Sequence, residues 1–158
     1  MPSDLRLDHL LRAAARVFAR DGYHRTSMRD LALASGMSLA GMYYYVRGKE
    51  ELLTLIQERC FDQVMDGARV AVAQSRDPAE RLQAFIRHHV TFFADHMAEM
   101  KVLSHEADSL TGNAAQAMRS KKKAYSTLLA DLVGKANTEL TAEERRVRAC
   151  APSGRYHV

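Results

Sequence analysis

Apolar residues recur at three- and four-residue intervals along most of this chain, a period that predicts helices and an all-α fold. In LDHLLRAAARVFARDGY, the residues Leu7, Leu10, Leu11, Ala14, Val17 and Phe18 line one face of a helix that Gly22 closes. The next stretch, Thr26 to Leu52, breaks the pattern into two short helices around a turn, followed by a third helix. Ser27 and Asp30 form a capping-box variant at the first start, and Leu31, Ala32 and Ser35 give that helix a small apolar face. Gly36 supplies the left-handed backbone of a sharp reversal, and Ser38 caps the second helix. That helix buries Met42 and Val46 at i and i+4, while Leu39, Ala40, Tyr43 and Tyr44 occupy the opposite face. Gly48 ends it, and Lys49-Glu50-Glu51-Leu52 begins a long helix that runs to about Ala73.

Beyond this, Asp77-Pro78 starts a further helix whose apolar face is read as Leu82, Phe85, Ile86, His89, Val90 and Phe93. A break near Asp95-His96 leads to Met97, Met100, Leu103 and Ala107. After a turn at Thr111-Gly112-Asn113, a helix covers about Ala114 to Ala136. The organisation expected is a helix-turn-helix unit over 1–48, a connecting helix over 49–76, a second helical unit over 77–150 and an irregular tail over 151–158.

Two short helices at a glycine turn suit a helix-turn-helix whose second helix enters the major groove while its flanks grip phosphates. Three successive tyrosines cannot all face DNA, because neighbours on a helix point about 100° apart. One of Tyr43, Tyr44 and Tyr45 therefore packs inward, leaving two for the groove side.

The stretch from Leu7 to Ile56 resembles the N-terminal domain of the tetracycline-repressor (TetR) family of bacterial transcription regulators. The likeness rests on AARVFARDGYHRTSMRDLA, the Ser-Gly-Met-Ser turn, Met-Tyr-Tyr and Lys-Glu-Glu-Leu. It implies a homodimer that binds double-stranded operator DNA and needs no cofactor for that contact. Under it, Ser27 and Arg29 fall where the first helix of the motif touches phosphate or base, and Ser38, Leu39, Ala40 and Gly41 face the groove floor. Tyr43, Tyr44 and Tyr45 sit at aromatic and neighbouring positions of the DNA face, and Lys49 matches a phosphate-binding lysine. Leu39, Ala40, Gly41, Tyr45 and Val46 depart from the family's commonest residues. The floor has few hydrogen-bond donors, so readout is expected to lean on Arg29, on thymine methyls and on DNA shape.

The resemblance also implies a ligand pocket and a dimer interface in the second unit. Phe85, His89, Phe93, Met97, Met100 and Tyr125 are the candidate lining of an apolar pocket, suited to a lipid-like or acyl-coenzyme A-like molecule. The expected role is a repressor released from its operator by such a ligand. A helical ligand-binding or interaction protein that does not dimerise productively is the alternative. The last segment sets this alternative up. The stretch after Thr141 is rich in charge (Glu143, Glu144, Arg145, Arg146, Arg148), and Pro152 and Gly154 stop any helix. It predicts an incomplete dimer interface, as a truncated or frame-shifted end would give.

Composition changes this picture little. Net charge is +4 over 158 residues, yet residues 1–60 hold 9 Lys/Arg against 7 Asp/Glu, so the basic excess is not concentrated on the motif. Lys121-Lys122-Lys123 reads as a solvated helix face. Cys60 lies on the stripe Leu53, Ile56, Cys60, Val64 as a small core residue, and Cys150 is far from it with no metal-type spacing. His88, His89, His96, His105 and Glu106 have no recognised ligand spacing, and no nucleophile elbow or phosphate loop occurs, so no enzyme is expected. No apolar run reaches membrane-span length and no secretory signal is visible, and a bacterial cytoplasm is the expected setting.

Overall fold

The structure is a computed structural model that describes residues 2–138, all helices and turns. Seven α-helices follow in order among the described residues: α1 (Pro2–Asp21), α2 (Met28–Ser35), α3 (Leu39–Tyr45), α4 (Lys49–Val72), α5 (Pro78–Asp95), α6 (Met97–His105) and α7 (Gly112–Thr138). A short 3₁₀ turn, Ala107–Ser109, lies between α6 and α7. The helix expected to begin near Leu7 starts at Pro2, where proline fits a first turn and Asp4 meets the positive end of the helix dipole. The readings made on Thr141, Cys150, Pro152 and the tail fall outside the described residues.

Local chemistry sets the starts and stops. Ser27 caps α2 in a complete capping box, and Gly36 ends that helix at φ 66°. Asp77 accepts from the Glu80 backbone N–H ahead of Pro78. Gly22, at φ 85°, turns the chain out of α1.

The main core joins both halves of the chain. Leu10, Ala14, Val17 and Phe18 of α1 pack with Leu31 of α2, Met42 of α3 and Leu52, Leu53 and Ile56 of α4. The same cluster continues through Cys60 and Val64 to Met100 and Leu103 of α6 and Met118 of α7. Because α1 also lies against α6, the N-terminal helices rest directly on the second unit. A smaller cluster at the far end holds Ala68, Val72, Phe85 and Leu132, with Tyr125 packed against both.

Cys60 is buried as expected, with Sγ 3.7 Å from Met100 Sδ. Burial first, and then the Glu99 carboxylate, push its thiol up to about 12, so it stays protonated at working pH. In a Cys150→Ser variant, a maleimide should therefore label Cys60 only after denaturation. Rapid full labelling in native buffer would contradict this packing.

Helix α5 presents a different face from the one expected. Phe85 and Phe92, one heptad apart, are buried, whereas Ile86, Val90 and Phe93 are exposed. The helix carries two apolar rows, and α4 takes the one that includes His88. There is a steric reason for that choice: Gly67 lets α5 approach so closely that a Cβ there would sit 2.3 Å from the His88 ring. His88 Nε2 lies 3.0 Å from the Val64 carbonyl oxygen. Of the lysine run, Lys121 pairs with Asp62 at 2.5 Å, and Lys122 donates to the Leu103 carbonyl at 3.3 Å. Two of the three thus tie helices together rather than only facing solvent.

Candidate nucleic-acid interface

The turn between α2 and α3 is built by short-range bonds. The Ser27 hydroxyl accepts from the Asp30 N–H at 3.2 Å, while its own O–H and backbone N–H reach Asp30 Oδ2 at 2.6 and 2.8 Å. These bonds, the side-chain one first, hold the Asp30 carboxyl below the usual carboxylate range. After the Gly36 reversal, Ser38 Oγ accepts from Gly41 N–H at 3.0 Å and caps α3. A Cβ on Gly41 would lie only 3.0 Å from that oxygen, so a side chain there would press on the cap.

Helix α3 is seated by one side chain. Met42 is fully buried beneath it, worth about 2 kcal/mol in apolar burial, and Val46 follows at 2 % exposure. The opposite side is open: Leu39 and Ala40 are exposed, as are Tyr43 at 50 % and Tyr44 at 81 %. Arg29 on α2 is also exposed and has no hydrogen bond or ion pair among the described residues.

Two of the expected DNA contacts need correction. Tyr45 is half-buried against the core, its ring edge-on to Tyr44 at 5.1 Å. It is the inward member of the three. Lys49 does not reach outward either. Its Nζ donates to the carbonyl oxygens of Tyr23 at 2.8 Å, Thr26 at 3.0 Å and His24 at 3.4 Å, and lies 4.5 Å from the centre of the Tyr23 ring. An ammonium has three protons, and all three are spent on the loop between α1 and α2. Those carbonyls lie in the turn between α1 and α2, so the lysine at the start of α4 closes that loop.

The same loop is held from the second unit. Glu106, the residue that caps α6, accepts the Tyr23 backbone N–H at Oε1 (3.2 Å) and the Ser109 hydroxyl at Oε2 (2.9 Å). Its carbonyl oxygen accepts from Nε2 of the fully buried Gln57 on α4 at 3.0 Å. Burial, with the Glu50 and Glu106 carboxylates adding to it, raises the Tyr23 phenol above its usual range. Sequence reasoning missed Tyr23, Gln57 and Glu106; a polar Gln57 one position off the apolar stripe was the available signal.

The six candidate pocket residues do not share one cavity. Met100 is buried against Cys60, and Phe85 is buried at the far cluster. Phe93, on the row of α5 that α4 does not cover, and Met97, at the start of α6, are both exposed. Only Phe85, His89 and Tyr125 come together. Tyr125 lies 5.0 Å from the Phe85 ring, and its hydroxyl is 3.0 Å from His89 Nδ1. Burial pushes the Tyr125 phenol up to about 12, so it stays a neutral hydroxyl.

A helix-turn-helix with an open second helix, joined through one long helix to a helical second unit, defines a class of DNA-binding regulators. Known proteins place the chain within that class. The family described as "Bacterial regulatory proteins, tetR family" matches residues 10–56, and "Tetracyclin repressor-like, C-terminal domain" matches residues 75–151. The HTH-type transcriptional activator FasR of Mycolicibacterium smegmatis is 32% identical over 111 residues, covering 70% of this chain and 50% of FasR. The HTH-type transcriptional repressor KstR2 of Mycobacterium tuberculosis is 29% identical over 105 residues, covering 66% of this chain and 52% of KstR2. A crystal structure of AibR in complex with isovaleryl coenzyme A and operator DNA superimposes with a TM-score of 0.76 at 30% identity, over 85% of this chain and 73% of that one. This chain belongs to the TetR family of bacterial regulatory proteins. It spans about half the length of the curated relatives it matches.

Proposed function

We propose that this chain is a sequence-specific DNA-binding transcriptional regulator, acting as a repressor that a small apolar ligand releases from its operator. The observation that carries the DNA half is the open face of α3, where Leu39, Ala40, Tyr43 and Tyr44 stand clear of a helix anchored by buried Met42. Tyr43 and Tyr44 hold phosphates, Leu39 and Ala40 meet thymine methyls, Ser38 and Gly41 approach the groove floor, and Arg29 reads a base edge. Ser27 acts through its cap, which fixes the angle of α2.

The ligand half has separate support. AibR, similar over most of this chain, is crystallised with an acyl-coenzyme A and operator DNA, and KstR2 is a repressor by name. In this chain the hydroxyl–imidazole pair of Tyr125 and His89, set among Phe85 and Phe61, offers one polar anchor in an apolar setting. Movement of α6 would be felt at the Tyr23 N–H through Glu106, which links the ligand unit to the DNA unit.

Binding of a fluorescent duplex from the chain's own upstream region, against random duplex, tests the reading. Arg29→Ala should lower the preference for the operator by about 1–3 kcal/mol while barely changing binding to random DNA. Equal loss on both duplexes would remove Arg29 from base readout. A thermal-shift screen of fatty acids and acyl-coenzyme A esters tests the ligand. No compound raising the melting temperature, under conditions where the duplex does, would count against an apolar effector.

A further inference from the structure

We propose that a groove beside α3 seats the DNA backbone, with Arg6 as the cation that grips a phosphate there. The proposal rests on the DNA-binding reading and extends it to a part of α1 that the helix-turn-helix does not include. The groove, about 460 Å³, lies between the first turns of α1 and the α2–α3 turn; Leu5, Arg6 and His9 form one side, and Gly36, Ser38 and Gly41 the other.

Three observations point to a phosphate strand. The first is continuity. Ser38 and Gly41 open α3, so whatever fills this groove is continuous with whatever meets the exposed face of that helix. A helix is 10–12 Å across and the major groove about 12 Å wide, so the elements flanking an inserted helix lie against the bordering phosphate strands. The second is charge. Arg6 is exposed and has no hydrogen bond or ion pair among the described residues, while Asp8, two residues on, is held by Arg59. A free guanidinium presents a planar fork of donors that matches a phosphate. The third is rigidity. His9 Nε2 lies 3.0 Å from the Ser35 carbonyl oxygen, which pins this end of α1 to the end of α2 and fixes Arg6 relative to α3.

The test is fluorescence anisotropy on two labelled duplexes of about 30 base pairs, one random and one from the upstream region, between about 50 and 200 mM salt. Arg6→Ala should weaken both duplexes alike, by roughly tenfold. It should also reduce the slope of log affinity against log salt by about 0.9 per bound protomer. Arg6→Lys should keep the slope, Arg6→Glu should lose more affinity, and all three should keep the wild-type melting temperature. The control is Arg76→Ala, at the other end of α4 and roughly 36 Å of helix away from the DNA unit. It should change nothing. Wild-type binding with an unchanged Arg6→Ala slope would overturn this proposal and leave the DNA-binding reading intact. An equal effect from Arg76→Ala would also overturn it, as a general charge effect. If the wild-type chain binds neither duplex at the lowest salt, the DNA-binding reading fails and this proposal with it.

Discussion

Replacing Lys49 with methionine should lower the stability of the protein by about 2 kcal/mol while leaving the salt dependence of DNA binding unchanged. Methionine keeps an apolar stem against the Tyr23 ring but removes the ammonium from the carbonyls of Tyr23, His24 and Thr26. Water can reach this half-buried site in part, which keeps the cost near that of one strong charged hydrogen bond rather than three. For a chain of this size the loss corresponds to roughly 4–8 °C in melting temperature. Lys49→Arg should not restore it, since a flat guanidinium cannot turn its donors onto three converging carbonyls. A variant with wild-type melting and a salt slope reduced by about one would return Lys49 to phosphate binding.

The second large effect is expected at Gly67, and its sign depends on His88. Gly67→Ala gains up to about 1 kcal/mol in helix propensity. It also puts a methyl 2.3 Å from the His88 ring, which must leave the Val64 carbonyl and its place beside Phe92. Overpacking of this kind costs about 1–3 kcal/mol, so the net result is destabilisation. In a His88→Ala background the obstacle is gone, and the same substitution should stabilise by about 0.5–1 kcal/mol. Chemical denaturation of the four proteins of this cycle gives the coupling directly. Destabilisation of equal size in both backgrounds would show that His88 is not what Gly67 accommodates.

Those two residues show which features the chain displays openly and which it hides. The caps at Ser27, Ser38 and Asp77 and the left-handed glycines at 22 and 36 are legible because each is settled within four or five residues. The buried stripe of α4 is legible for the same reason, as is the outward setting of Tyr43 and Tyr44 opposite Met42. Lys49 bonds to residues 23–26 positions earlier, and Glu106 to one 83 positions earlier. No periodicity reports such pairs. The face of α5 was misread for a related reason: with two apolar rows available, the choice belongs to the partner helix, through one missing side chain at Gly67.

The closure around Tyr23 has a consequence for anyone who would exchange reading heads between relatives. A graft cut at Gly48 separates the loop from Lys49, and one extended to Ile56 still leaves Glu106 with the recipient. The transplanted Tyr23 amide then needs an acceptor that the recipient must supply from the end of its own sixth helix. Interchangeability of heads is thus set by a residue 58 positions beyond the cut at Gly48, and a chimera should carry glutamate at the place of Glu106 before its operator preference is judged.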